Sequence, residues 1–234
     1  MGAELAAVLW DMDGTLVDTE GLWSVTIAEL AAHHGGELSA ATREELTGSS
    51  LDRTVRAVRA EVGLDPHDPA GVAADGRWLL DRTAAVFGRG VPWRPGAREA
   101  LGAVRASGIP TALVTSTYRE LTDVALETIG PEFFDVTVCG DEVPATKPDP
   151  APYRQAAERL GVDVTACVAI EDSPAGTRSA TSAGATVLVV PAEVAVPAGE
   201  RRVLRESLAG LTVEDLREML RTGTADHRTR AGAH

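Results

Sequence analysis

The stretch that most constrains this fold is Ala6-Ala7-Val8-Leu9-Trp10, which stops at Asp11-Met12-Asp13-Gly14. The apolar run is too short for a buried helix and ends in an acidic, glycine-containing turn. A buried parallel strand that carries a functional loop at its C-terminal end reads this way. Asp11 and Asp13 lie two residues apart, so in extended backbone both side chains leave on the same side. Carboxylates that close repel each other unless a cation or a shared proton intervenes. The pair therefore asks for a metal ion, a raised pKa, or both.

Three uses of such a pair can be weighed. An EF-hand calcium loop needs Gly at its sixth position and Glu at its twelfth, where this chain has Leu16 and Leu22, so that use is excluded. A plain surface turn rarely has apolar walls on both sides, and here the strand precedes the pair while Leu16-Val17 follows it. In the third use Asp11 is a nucleophile: an aspartate is ionised at neutral pH and needs no base to attack phosphorus.

From Glu20 to about Gly90 no strand is expected. Trp23, Ile27, Leu30 and His34 share one helical face before Gly35-Gly36. Ser39 can cap a second helix that ends at Gly48. Asp52 can cap a third, with Val55, Val58 and Val62 inward, and Pro69 to Phe87 reads as a fourth. Val91-Pro92-Trp93-Arg94-Pro95-Gly96 then breaks any helix.

Beyond that break, helix and strand alternate. Helices are expected over Ala97–Ser107, Tyr118–Ile129, Pro150 to Gly161, Pro174–Ala183 and Val213–Arg221. Strands are expected over Pro110–Val114, Phe134–Val138, Val164–Ile170 and Ala185–Val190. The alternation predicts an α/β, Rossmann-like parallel sheet with helices on both faces. Residues 1–16 and 93–221 would form it, 17–92 would be an all-α insertion, and 222–234 a frayed polar tail.

Ligands of open α/β sheets bind beyond the carboxyl ends of the strands. At those ends the sequence places Asp11 and Asp13, then Thr115-Ser116-Thr117, then Lys147 braced by Pro148, then Glu171-Asp172. Hydroxyls and free N–H groups at a helix start can hold phosphate oxygens, although Thr115 could equally be only a helix cap. Lys147 is the single lysine of the chain. A second acid pair again calls for a cation, unless Asp172 merely caps the helix at Pro174.

A formal net charge of −13 argues against nucleic-acid or anionic-membrane partners but not against a small anionic substrate, because a bound cation can reverse the field inside one cleft. Cys139 and Cys167 lie near the ends of apolar runs and read as buried thiols of a reducing compartment. Glu4 without a basic stretch does not resemble a secretory leader, and no run reaches membrane-spanning length. A cytoplasmic protein, monomer or weak dimer, is expected.

Taken together, Asp11-x-Asp13-Gly14-Thr15-Leu16-x-Asp18-Thr19-Glu20, Thr115, Lys147 and Glu171-Asp172 resemble, in order, the four motifs of the haloacid-dehalogenase-like superfamily. Within it the chain is similar to the subgroup of β-phosphoglucomutase and sugar-phosphate phosphatases, and the match spans about residues 5 to 190. The helical insertion resembles that subgroup's cap. The resemblance implies a phosphatase acting on a small phosphorylated metabolite. Asp11 would form an aspartyl-phosphate, and Asp13 would act as general acid and then base. Mg2+ would lie on the Asp11 carboxylate, the Asp13 main-chain carbonyl and Asp172, assisted by Glu171. Lys147, Thr115 and the Ser116 N–H would hold the phosphoryl group.

A dehalogenase has no leaving alkoxide and no use for Asp13. A signalling receiver module, the alternative from another class, lacks the insertion and the second acid. The mutases of the subgroup carry a His where this chain has Trp23, and an Arg directly after Gly48-Ser49-Ser50, where this chain has Leu51. Trp23, Ser49, Ser50, Arg53 and Arg56 are candidates for substrate selection, each also readable as cap packing or a solvated face.

Overall fold

A computed structural model describes residues 4–46, 49–192 and 194–222. In chain order its elements are β1 (Ala7–Trp10), α1 (Glu20–His33), α2 (Ala40–Leu46), α3 (Leu51–Glu61), α4 (Pro69–Phe87), α5 (Ala97–Ala106), β2 (Thr111–Val114) and α6 (Arg119–Ile129). There follow β3 (Val136–Val138), α7 (Ala151–Leu160), β4 (Cys167–Glu171), α8 (Pro174–Ala183), β5 (Thr186–Val189), β6 (Arg202–Leu204) and α9 (Val213–Thr222). The chain divides into two compact units. One comprises residues up to Val17, Trp93–Arg119 and the chain from Pro131 onward. The other comprises Asp18–Pro92 with Glu120–Gly130.

The first unit is a six-stranded parallel sheet in the order β3-β2-β1-β4-β5-β6. From β1 the chain winds outward to β3, then returns to the middle at β4 and winds the other way. The order therefore reverses between β1 and β4, and an open α/β sheet forms its ligand crevice at such a switch point. Register brings the motifs level: Trp10 lies opposite Ile170 on one side and Leu113 on the other. Asp11, Glu171 and Thr115 thus emerge from neighbouring strands within a residue or two of one another.

Strands β1, β2, β4 and β5 are buried at every position, which is why they read as continuous apolar runs. On one face Leu9, Val114, Ala169 and Val187 pack with Tyr153 and Ala156 of α7 and Ala180 of α8. Helix α7 buries Tyr153, Ala156 and Ala157, the i, i+3, i+4 stripe of an amphipathic helix, and stops at Gly161 with φ 71°.

In the second unit α1, α3 and α4 pack together around Leu30, Val55, Val58 and Leu79. Asp68 caps α4 by accepting from the Ala70 and Gly71 N–H groups. Arg59 and Asp75 form a buried ion pair at 2.6 Å, and His34 Nε2 lies 2.8 Å from the other Asp75 oxygen.

The α/β class and parallel sheet are those expected, and the differences are local. Strand β4 starts at Cys167 rather than Val164, because Asp163 accepts from the Thr165 N–H and turns Val164–Ala166 into a 3-10 helix. Strand β3 starts at Val136 rather than Phe134, after a 3-10 turn over Pro131–Phe133. Ser50, not Asp52, caps α3; Asp52 sits inside its first turn and takes Arg56 at 2.7 Å. Strand β6 was not foreseen. The expected end of the second helix at Gly48 and the tail over 223–234 lie outside the described residues. No helix among the described residues is long and apolar enough to cross a membrane.

Candidate active site

Asp11 stands at the end of β1, buried, with its N–H donating to the Ile170 carbonyl at 3.0 Å. Its Oδ1 receives Lys147 Nζ at 2.5 Å, and its Oδ2 has no hydrogen-bond partner in the protein. Lys147 is 5% exposed and donates all three of its protons: to Asp11 Oδ1, to Glu171 Oε1 at 2.7 Å and to the Val114 carbonyl at 2.8 Å. Glu171, fully buried at the end of β4, also accepts the Tyr153 hydroxyl on Oε1 at 2.5 Å, and the Ser173 hydroxyl on Oε2 at 3.3 Å.

Two glycines make room for these acids. Gly14 has φ +80°, and a Cβ there would collide with Asp172 Oδ2. A Cβ on Gly176 would overlap the Glu171 carboxylate. Ser173 caps α8 by accepting from the Gly176 N–H, which removes the reading of Asp172 as that cap.

One ammonium faces three carboxylates, since ligand oxygens of Asp11, Glu171 and Asp172 all lie within 4.8 Å of one another. Burial pushes Asp11 up to about 7 against the pull of Lys147, with Glu171 and Asp13 adding to the rise. Burial, Asp11 and Glu171 push Asp172 up to about 9. Burial opposes the Lys147 ammonium, yet the charges of Asp11 and Glu171 hold its pKa above the ordinary lysine value. A hard divalent cation fits this donor set of carboxylate oxygens, and the buried, unpartnered Asp11 Oδ2 is the atom that most needs one.

Asp13 is half-buried and its carboxylate is outside the cluster. Its Oδ2 accepts from Thr117 Oγ1 at 2.8 Å and from Thr115 Oγ1 at 3.1 Å. Thr115 is therefore more than a helix cap, and its hydroxyl points to Asp13. Ser116 is exposed on the same turn. A Cβ on Gly140 would collide with the Ser116 carbonyl, so that glycine lets the two loops touch, with the Gly140 N–H donating to the Thr117 carbonyl at 3.0 Å.

The structure thus gathers Asp11, Lys147, Glu171 and Asp172 at one point. Asp13 and Thr115 lie beside them, and Ser116 is exposed at the turn. Thr117, Tyr153 and Ser173 join the site without a role expected from the sequence. Thr117 belongs to the hydroxyl triplet singled out, whereas nothing marks Tyr153 apart from its place on the buried stripe of α7.

In the second unit the selection candidates serve local structure. Ser49 Oγ lies 2.5 Å from Thr54 Oγ1, and Ser50 caps α3. Arg53 pairs with Glu45 at 2.7 Å, and Arg56 bridges Asp52 and the Pro66 carbonyl. Trp23 meets Phe87 edge-on at 6.2 Å.

A family model described as haloacid dehalogenase-like hydrolase matches residues 5–184. The chain is 32% identical over 200 residues to the protein CbbY of Rhodobacter capsulatus, covering 81% of this chain and 87% of that one. It is 29% identical over 218 residues to hexitol phosphatase B of Escherichia coli K12, covering 91% and 97%. Among solved structures, a variant of CbbY from Rhodobacter sphaeroides in complex with xylulose-(1,5)bisphosphate aligns with a TM-score of 0.79 and 30% identity, over 91% of this chain and 99% of that one.

Proposed function

Given that the chain belongs to the haloacid dehalogenase-like hydrolases, we propose that it is a Mg2+-dependent phosphatase that hydrolyses a phosphate monoester of a small sugar or sugar alcohol through an aspartyl-phosphate. One observation carries this reading. At the switch point of the sheet, Asp11 has one carboxylate oxygen clamped by Lys147 and the other buried without a partner. A carboxylate fixed in place by Lys147, with its second oxygen left for a cation, is a positioned nucleophile for attack on phosphorus.

The steps follow from the residues at hand. The Asp11 carboxylate attacks phosphorus while the bond from phosphorus to the substrate oxygen breaks, and Asp13 gives its proton to the departing alkoxide. Asp13, now a carboxylate, takes a proton from the water that attacks the phosphoryl-aspartate, releasing inorganic phosphate and restoring Asp11. Thr115 and the Ser116 N–H hold the phosphoryl oxygens, and the Lys147 ammonium offsets their charge. Mg2+, held by Asp11, Asp172, Glu171 and the Asp13 main-chain carbonyl, would neutralise the charge of the phosphoryl group and of the acids around it.

The substrate class rests on the relatives. One is named a hexitol phosphatase and another was solved with a pentulose bisphosphate. A net charge of −13 agrees with a small substrate rather than a nucleic acid, and the two cysteines are free and buried, as in a cytoplasmic protein. The test is phosphate release from a panel of hexose, hexitol and pentulose phosphates plus p-nitrophenyl phosphate, with Mg2+ and with EDTA. Release with Mg2+, its loss on chelation and a phosphate adduct on Asp11 by mass spectrometry are expected. No release from any monoester, or turnover unchanged by chelation, overturns the proposal.

A further inference from the structure

The turn after β2 reaches Asp13 with two hydroxyls, and simple counting gives them different duties. Thr117 Oγ1 and Thr115 Oγ1 both donate to Asp13 Oδ2, at 2.8 and 3.1 Å. A hydroxyl has one proton to donate. On the phosphatase reading, Thr115 turns its proton to a phosphoryl oxygen when substrate is bound, so its contact with Asp13 is lost at the moment Asp13 must act. Thr117 has the shorter bond, and the turn is held from three sides. The Thr117 N–H donates to Thr115 Oγ1 at 3.0 Å, the Thr117 carbonyl accepts from Gly140, and the Thr115 N–H donates to the Val138 carbonyl.

We propose that Thr117 is the positioning residue of the acid–base Asp13: its hydroxyl holds the carboxyl in place while Thr115 is engaged by the phosphoryl group. The inference rests on the phosphatase reading and adds a residue to it. In the first half-reaction the bond from Asp11 to phosphorus forms, the bond from phosphorus to the substrate oxygen breaks, and Asp13 passes its proton to that oxygen. The Thr117 hydroxyl then donates to a full carboxylate, and hydrogen bonds to ionised acceptors are stronger than those to neutral ones. The bond therefore tightens as the proton leaves, which raises rate rather than affinity.

Leaving-group dependence isolates this role. An alkoxide departs poorly without a proton, whereas p-nitrophenolate needs none, and kcat/KM covers only the steps up to the phosphoenzyme. Thr117→Val removes the hydroxyl and keeps the shape; Thr117→Ser keeps the hydroxyl. Each is assayed on p-nitrophenyl phosphate and on the alkyl monoester that the wild type hydrolyses fastest in the panel. With Thr117→Val, kcat/KM on the alkyl monoester should fall about 10- to 100-fold. On p-nitrophenyl phosphate it should change by less than ~3-fold, and Thr117→Ser should stay within ~3-fold of wild type on both.

Both substrates are measured on one sample, so the ratio of the two losses is independent of how much of the variant is folded. Equal losses on both substrates, no loss on the alkyl monoester, or a Ser variant no better than Val overturns the positioning role. Wild type inert on every monoester removes the phosphatase reading, and this inference with it.

Discussion

Tyr153 donates its hydroxyl to Glu171 Oε1 at 2.5 Å, so a residue of α7 holds the acid that ends β4. The same oxygen receives Lys147, whose ammonium lies 5.3 Å from the centre of the Tyr153 ring, within reach of a cation–π interaction. Burial first, then the charges of Glu171 and Asp11, push the Tyr153 hydroxyl well above the ordinary tyrosine range, so it stays a donor. Glu171 is thereby held in place, and it aims Lys147 at Asp11.

Tyr153→Phe should therefore weaken the site without dismantling it, because Lys147 still satisfies Glu171. Losing a buried bond to a charged acceptor should cost about 1.5–3 kcal/mol of stability. Turnover should drop ~10-fold as Lys147 loses its brace. Urea denaturation and steady-state assays check both, and a variant as stable and active as wild type would show the hydroxyl to be idle.

Most of this arrangement was legible in the sequence because the acids follow buried strands that read as clear apolar runs, and because Lys147 is the single lysine of the chain. Tyr153 was not, since it lies on a helix whose stripe looks like ordinary core; only tertiary packing puts its hydroxyl against Glu171. Strand β6 escaped for a different reason. It is three residues long, at the sheet edge, and its burial alternates around Val203. The cap of α3 was misread because Ser50 and Asp52 are both good capping residues, and an arginine four residues on draws Asp52 into the helix. Thr117 was named in the triplet but given no duty, because hydroxyl direction is a matter of turn geometry that the chain order does not reveal.

Asp11→Asn should abolish turnover and keep the fold. The amide is nearly isosteric but is no anionic nucleophile, and it removes one of three crowded carboxylates. The metal-free variant should therefore melt no lower than the wild type near neutral pH. Activity close to wild type in pure protein would take Asp11 out of the nucleophile's role.

The acid cluster sets a pH dependence of stability. Asp11 at about 7 and Asp172 at about 9 both lie above the ordinary 3.8. Between those limits the folded protein holds more protons than the unfolded chain, so stability falls as pH rises. The contribution is fully present below about 3.8 and is lost through about 7 and about 9. Glu29 and Asp52, whose pKa values are lowered chiefly by hydrogen bonds from Arg82 and Arg56, act below their ordinary 4.5 and 3.8, and so outside the range from about pH 5 to about pH 9. In EDTA, Tm should drop by ~5–10 °C between about pH 5 and pH 9, and Mg2+ should flatten the slope. Asp172→Ala should reduce both the slope and the Mg2+ response. A Tm that is flat or rising in EDTA would contradict the assignment.

Two positions of the second unit separate hydrolysis from transfer to a second hydroxyl. The mutases that this chain resembles use a His in the first cap helix and an Arg after the Gly-x-Ser turn to hold the second phosphate. At the first position Trp23 packs edge-on to Phe87, and an indole N–H cannot shuttle a proton because it is a donor only. At the second position Leu51 starts α3 and packs against the apolar core of its unit. Arg53 lies two residues on and pairs with Glu45 at 2.7 Å, an exposed contact worth little by itself, so the pair does not by itself hold Arg53 away from a phosphate. What the chain lacks is a cation at the turn itself, where a bidentate Arg would give both charge and register. Incubated with β-glucose 1-phosphate and a bisphosphate primer, the protein should release inorganic phosphate and form no glucose 6-phosphate by NMR. Catalytic accumulation of glucose 6-phosphate would sink the phosphatase reading in favour of the mutase. Leu51→Arg should then be the substitution that first lets a bisphosphate bind tightly, seen as inhibition of monoester hydrolysis at lower bisphosphate concentration than in wild type.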